Sequence, residues 1–147
     1  MKQPIGMPST MLKPDAILET ALYVTDLDAA HDFYAGILNL EEVLHVPGRH
    51  RFYGCGPGML LLFVAEATRE ASGPFPVPTH GADGPGHMCF RVAGDTLDAW
   101  RMHLEASRLD IEADFKWPTG ARSIYVRDPS NNSVEFSEPL LWNRPLP

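Results

Sequence analysis

Long apolar runs, a cysteine framework and clusters of basic residues are all missing from this sequence. No apolar stretch approaches the roughly 18 residues a membrane-spanning helix needs, so no membrane partner is expected. Two cysteines, Cys55 and Cys89, are too few for a disulfide scaffold and read as small core residues beside predicted strands. Lys and Arg number 12 against 19 Asp and Glu, a net charge of −7 with no basic cluster. Nucleic acid is therefore excluded as a partner, because phosphate neutralisation needs a basic face. The first 13 residues lack the apolar centre of a secretory signal, and a cytoplasmic protein is expected.

What is present is an ordinary globular composition, 44% hydrophobic and 21% charged over 147 residues. That is enough for one domain, or for two small modules sharing a core. Residues 1–14, with Pro4, Pro8 and Pro14, read as a loose leader. Ile17 to Val24 alternates as a strand, Thr25-Asp26 offers a helix cap, and Leu27, Ala30, Phe33, Tyr34, Ile37 and Leu38 fall at helical spacing. Three strands follow, Leu40 to Val46, Arg49 to Cys55 and Met59 to Val64, the last apolar throughout. A connection rich in proline then runs over residues 67–83, long enough for a linker or a lid.

After it the order repeats. Gly86 to Val92 is a strand, Leu97 to Leu104 a helix, and Leu109 to Ala113, Ser123 to Arg127 and Ser133 to Ser137 are strands. The segment Leu27-Asp28-Ala29-Ala30 matches Leu97-Asp98-Ala99-Trp100, and aligning Phe63 with Phe136 sets Leu62 opposite Glu135. The expected fold is α+β: two βαβββ modules, residues 15–66 and 84–139, forming a curved eight-stranded mixed sheet around a cleft with helices outside. A tail, residues 140–147, carries Leu140, Leu141 and Trp142 and is expected to pack down.

Strand alternation picks out the chemistry. Glu19 in the first strand occupies the place that His87 holds in the fifth, 68 residues on. Glu135 faces away from Val134 and Phe136 in the last strand. Were the two sheets to curl together, Glu19, His87 and Glu135 would converge as a set of two carboxylates and one imidazole. Such a set suits a hard or borderline divalent ion (Fe, Mn, Zn, Ni or Co) and leaves coordination positions open for substrate. Tyr23 and Arg91 share faces with these residues and are candidate substrate contacts, with His50, Arg122 and Tyr125 as further candidates. Glu19 or Glu135 could also act as general base.

The run Leu18-Glu19-Thr20-Ala21-Leu22-Tyr23-Val24-Thr25-Asp26-Leu27, with Phe33-Tyr34 and Leu38 after it, resembles the opening motif of the vicinal oxygen chelate superfamily. Gly86 to Phe90 and Tyr125 to Phe136 resemble that superfamily's fifth-strand and closing motifs. This is the superfamily of the glyoxalase I, bleomycin-resistance and extradiol-dioxygenase proteins. The resemblance implies paired modules around a cleft, commonly in a homodimer, and a divalent metal chelated by substrate oxygens. It places the ligand positions on Glu19, His87 and Glu135. It implies an enzyme acting on a small molecule with vicinal oxygens, of lyase or isomerase type or a ring-cleaving dioxygenase. The alternative is a metal-free protein of the same fold that sequesters an antibiotic or metabolite. The first ligand position holds histidine in the dioxygenases, and glyoxalase I enzymes usually add a fourth-strand carboxylate. Glu19 and Leu62 depart from those two patterns.

Overall fold

A computed structural model describes residues 11–144. Residues 1–10, most of the expected leader, and the last three residues of the tail lie outside the described part. The first module runs β1 (Glu19–Tyr23), α1 (Leu27–His31), β2 (Glu41–Val46), β3 (His50–Cys55) and β4 (Gly58–Phe63). Asp26 caps α1 by accepting from the Asp28 and Ala29 amides, as its sequence position suggests. The helix then widens into a π-helical segment, Asp32–Ile37, in which the Leu38 amide reaches Phe33 O, five residues back.

A short helix, α2 (Ala65–Thr68), opens the connection. The second module follows with β5 (His87–Arg91), α3 (Leu97–Ala106), β6 (Ala113–Lys116), β7 (Arg122–Arg127) and β8 (Ser133–Ser137). The sixth strand is the one clear displacement from expectation. Leu109 and Ile111 pack against the core outside any strand, and it is Ala113–Lys116 that pairs with β7. Here burial of two apolar side chains mimicked a strand pattern.

The expected α+β fold of two βαβββ modules is the one observed. Its eight strands form two four-stranded mixed sheets, ordered β1-β4-β3-β2 and β5-β8-β7-β6. In each, the first strand lies parallel to the last and at the sheet edge. One core spans both modules. Leu22, Leu60 and Leu62 of the first sheet cluster with Phe90, Val126, Val134 and Phe136 of the second and with Phe33, Tyr34, Leu97 and Leu104 of the helices. By alternation, the opposite sheet faces carry Glu19 and Glu135. Gly86, at the mouth of β5, allows close approach: a Cβ there would meet Leu22 Cδ2 at 3.0 Å. The tail folds into one 3-10 turn, Pro139–Leu141, yet Trp142 remains 77% exposed.

Candidate functional site

The register of β5 on β8 sets Cys89 beside Glu135 and His87 beside Ser133. Because Val134 and Phe136 are committed to the core, Glu135 is turned to the other face, where it is only 4% exposed. His87 is fixed from behind by its Nδ1, 3.1 Å from the Ser133 carbonyl oxygen. A carbonyl only accepts, so Nδ1 carries the proton and Nε2 presents a lone pair. That lone pair lies 3.3 Å from Glu135 Oε1. Two acceptors facing each other need a cation between them, either a proton or a metal ion. A histidine whose second nitrogen is held by a carbonyl is the usual posture of a metal ligand.

The other carboxylate oxygen, Oε2, lies 2.5 Å from Ser123 Oγ, and Trp117 Nε1 donates to that same Oγ at 2.8 Å. Burial, then the charge of Glu135 and a hydrogen bond to it, push the Cys89 thiol and the Tyr125 phenol up to about 12. Both stay protonated at neutral pH, and the Cys89 thiol donates to the Phe90 carbonyl oxygen at 3.6 Å. Tyr125 stacks on His87 with centroids 6.2 Å apart and on Phe115 at 5.9 Å. A cavity of about 470 Å3 opens here, walled by His87, Tyr125, Glu135, Trp117 and Trp142. Beyond Cys89 a smaller cavity of about 280 Å3 holds Arg91 and Glu138.

His87, Glu135 and Tyr125 are thus brought together. Glu19 is not joined to them. It is exposed and shares a narrow cleft between the edge strands β1 and β5 with Met88 to Arg91. Among the described residues, no group of three or more His, Cys, Asp or Glu side chains stands close enough to hold one metal ion. The strand register also shifts one expectation. Glu19 pairs with Met59 as His87 pairs with Ser133, so the counterpart of Glu135 is Leu61 rather than Leu62. The position remains an aliphatic one, without a fourth carboxylate.

The other anticipated contacts divide. Arg122 lies on the face of β7 opposite Ser123 and Tyr125, and its guanidinium is taken by Asp114 and Asp98. Strand alternation alone separates it from the cavity. Arg91 shares the face of His87 and donates to the Arg144 carbonyl at 3.3 Å. On the Glu19 face of the first module, the Tyr23 hydroxyl lies 2.6 Å from His80 Nδ1, and His80 stands edge-on to Phe63. His50 stacks on Phe52 at 4.2 Å with both ring nitrogens buried and unpartnered. Burial, with the charges of Arg49 and His45, lowers its pKa and keeps it neutral. Ser123 and Trp117 were not anticipated. Ser123 was legible two residues before Tyr125 on the same face, whereas Trp117 follows a strand that the sequence pattern misplaced.

Residues 16–136 match the family model of the Glyoxalase/Bleomycin resistance protein/Dioxygenase superfamily. The chain belongs to that superfamily. Members of it typically bind a divalent metal and small-molecule ligands. Among solved structures, a lactoylglutathione lyase from Agrobacterium tumefaciens is 45% identical with a TM-score of 0.85, covering 89% of this chain and 98% of its own. A glyoxalase/bleomycin resistance protein/dioxygenase from Nocardioides is 22% identical at a TM-score of 0.69, with coverage of 88% and 86%. An integron cassette protein of V. cholerae is also 22% identical, at a TM-score of 0.65 with coverage of 87% and 98%. These last two speak for the fold alone. No curated protein matches the chain. No helix among the described residues is long and apolar enough to cross a membrane.

Proposed function

We propose that this superfamily member is a metal-dependent enzyme acting on a small molecule with two neighbouring oxygens, its site built from His87 and Glu135 and completed by Glu19 of a second copy. The observation that carries the reading is the opposed pair His87 Nε2 and Glu135 Oε1, 3.3 Å apart, with Nδ1 held by Ser133 O. The donor set fits a divalent ion of the Fe, Mn, Zn, Ni or Co group. Exposed Ile17 and Leu18 flank Glu19, giving the first module an apolar edge for a partner in a homodimer.

A divalent ion bound there supplies Lewis acidity toward two substrate oxygens. The chain's own residues do the rest. Glu135, buried and held at one oxygen by Ser123, stands as the base for a proton beside those oxygens. Tyr125, protonated at working pH, can donate to a developing oxyanion. The aromatic wall of Trp117, Tyr125 and Trp142 favours a substrate with an apolar or aromatic body. Arg91, in the adjoining cavity, suits an anionic end. Likeness to the lactoylglutathione lyase favours the lyase or isomerase type over ring cleavage. The stack of His87, Tyr125 and Phe115 favours a second reading, metal-free capture of a flat ligand. The two separate by metal content. Protein purified under mild conditions should hold a divalent ion, and His87→Ala protein should lose it; equal content in both supports the capture reading.

A further inference from the structure

We infer that Ser123 is a positioning residue for Glu135, acting through a directed chain Trp117 → Ser123 → Glu135. The inference rests on the metal-site reading above. Ser123 is fully buried, and its hydroxyl has one proton and two nearby acceptors, Glu135 Oε2 at 2.5 Å and Ser137 Oγ at 3.0 Å. The charged, nearer acceptor wins, because hydrogen bonds to ionised oxygens are roughly twice as strong as neutral ones. The neighbours enforce the direction. Trp117 Nε1–H can only donate, and it fills one lone pair of Ser123 Oγ at 2.8 Å. Ser137 places its own proton on the Arg122 carbonyl oxygen at 2.8 Å and makes no demand on Ser123.

The consequence falls on the other end of the carboxylate. The terminal torsion of a glutamate is soft, so nothing within the side chain fixes which oxygen faces His87. With Oε2 capped by Ser123, Oε1 is the oxygen left toward Nε2, and the carboxylate plane is set before any ion arrives. His87 has the corresponding support in Ser133 O. Both facing donors are thereby held from behind, one by a main-chain carbonyl and one by a serine that is itself oriented by a tryptophan of the cavity wall. Removal of such outer partners commonly weakens metal affinity by about 10- to 100-fold.

The test is calorimetric titration of Zn2+ into the metal-stripped full-length protein, with circular dichroism melts confirming that each variant is folded. Ser123→Ala should bind about 10- to 100-fold more weakly than wild type. Ser123→Thr, which keeps the hydroxyl, should recover most of that loss. Trp117→Phe, which keeps an aromatic wall and removes only the donor, should fall between wild type and Ser123→Ala. The visible band of Co2+-loaded protein should shift in Ser123→Ala and return in Ser123→Thr. Wild-type affinity in Ser123→Ala, while Glu135→Gln binds weakly, overturns the positioning role and leaves the metal site standing. Failure of threonine to rescue overturns it as well. Equal binding by wild type and Glu135→Gln removes the metal site itself, and the inference with it.

Discussion

Tyr34 Oη donates to Asp128 Oδ2 at 2.8 Å, linking the helical segment of the first module to the turn before the last strand of the second. Both residues are buried, and burial together with the charge of Asp128 raises the Tyr34 pKa, so the hydroxyl always acts as donor. Asp128 also accepts from Asn132 Nδ2, and that amide group reaches Tyr23 O while its oxygen takes the Gly86 amide at 2.7 Å. The turn is therefore a clamp across the modules, and it sets the backbone beside His87.

Tyr34→Phe should cost about 1–3 kcal/mol of stability, because it leaves Asp128 short of one partner in a buried place. Urea denaturation measures it. Zinc affinity of the folded variant should stay near that of wild type, since the lost bond lies behind the sheets.

Acid sensitivity should trace to Asp114. The Arg122 guanidinium, opposed by burial and assisted by Arg101, lowers its pKa from 3.8 to about 2. The folded value lies below the unfolded one, so this contribution is complete above about pH 4 and fades as pH falls toward 2. Asp114→Asn should be about 1–3 kcal/mol less stable than wild type at pH 7. That gap should shrink between pH 4 and pH 2; a gap of constant size over that range contradicts the assignment.

An aromatic ligand should report on the cavity wall. Catechol or phenylglyoxal should quench the fluorescence of Trp117 and Trp142 on binding. Tyr125→Ala should weaken that binding by about 3- to 10-fold, the value of one aromatic pair. Tyr125→Phe should retain most of it, because the ring does the stacking.

The shared site predicts complementation. Glu19→Gln and His87→Ala proteins should each bind zinc poorly alone. Unfolded and refolded together, they should regain about a quarter of the wild-type sites, as random pairing in a two-fold dimer restores one intact site per mixed dimer. No recovery on mixing argues for a site contained within one chain.

Much of this was legible in the sequence, and the reasons are local. The alternation in Gly86 to Val92 and Ser133 to Ser137 was enough to put His87 and Glu135 on one face, because the partners of that alternation, Phe90, Val134 and Phe136, are buried in the core. The βαβββ repeat survived as two sheets with matching registers. What the pattern could not carry was relation between sheets: Glu19 occupies the equivalent strand position, yet among the described residues it forms no metal-competent group with His87 and Glu135. Arg122 stands on the other face of β7 from Tyr125, and its guanidinium is held by Asp114 and Asp98, partners that the strand pattern does not reveal. Asp128 to Asn132 read as plain turn chemistry because its partners, Tyr34, Tyr23 and Gly86, are 46 or more residues distant in sequence.

The central claim is that His87 and Glu135 hold a divalent metal, and equilibrium zinc titration of wild type, His87→Ala and Glu135→Gln tests it most directly. One ion per chain should bind wild type, with affinity reduced by at least about 100-fold in either variant, the loss of a ligand being no smaller than that of an outer partner. Equal affinity in all three proteins would contradict it.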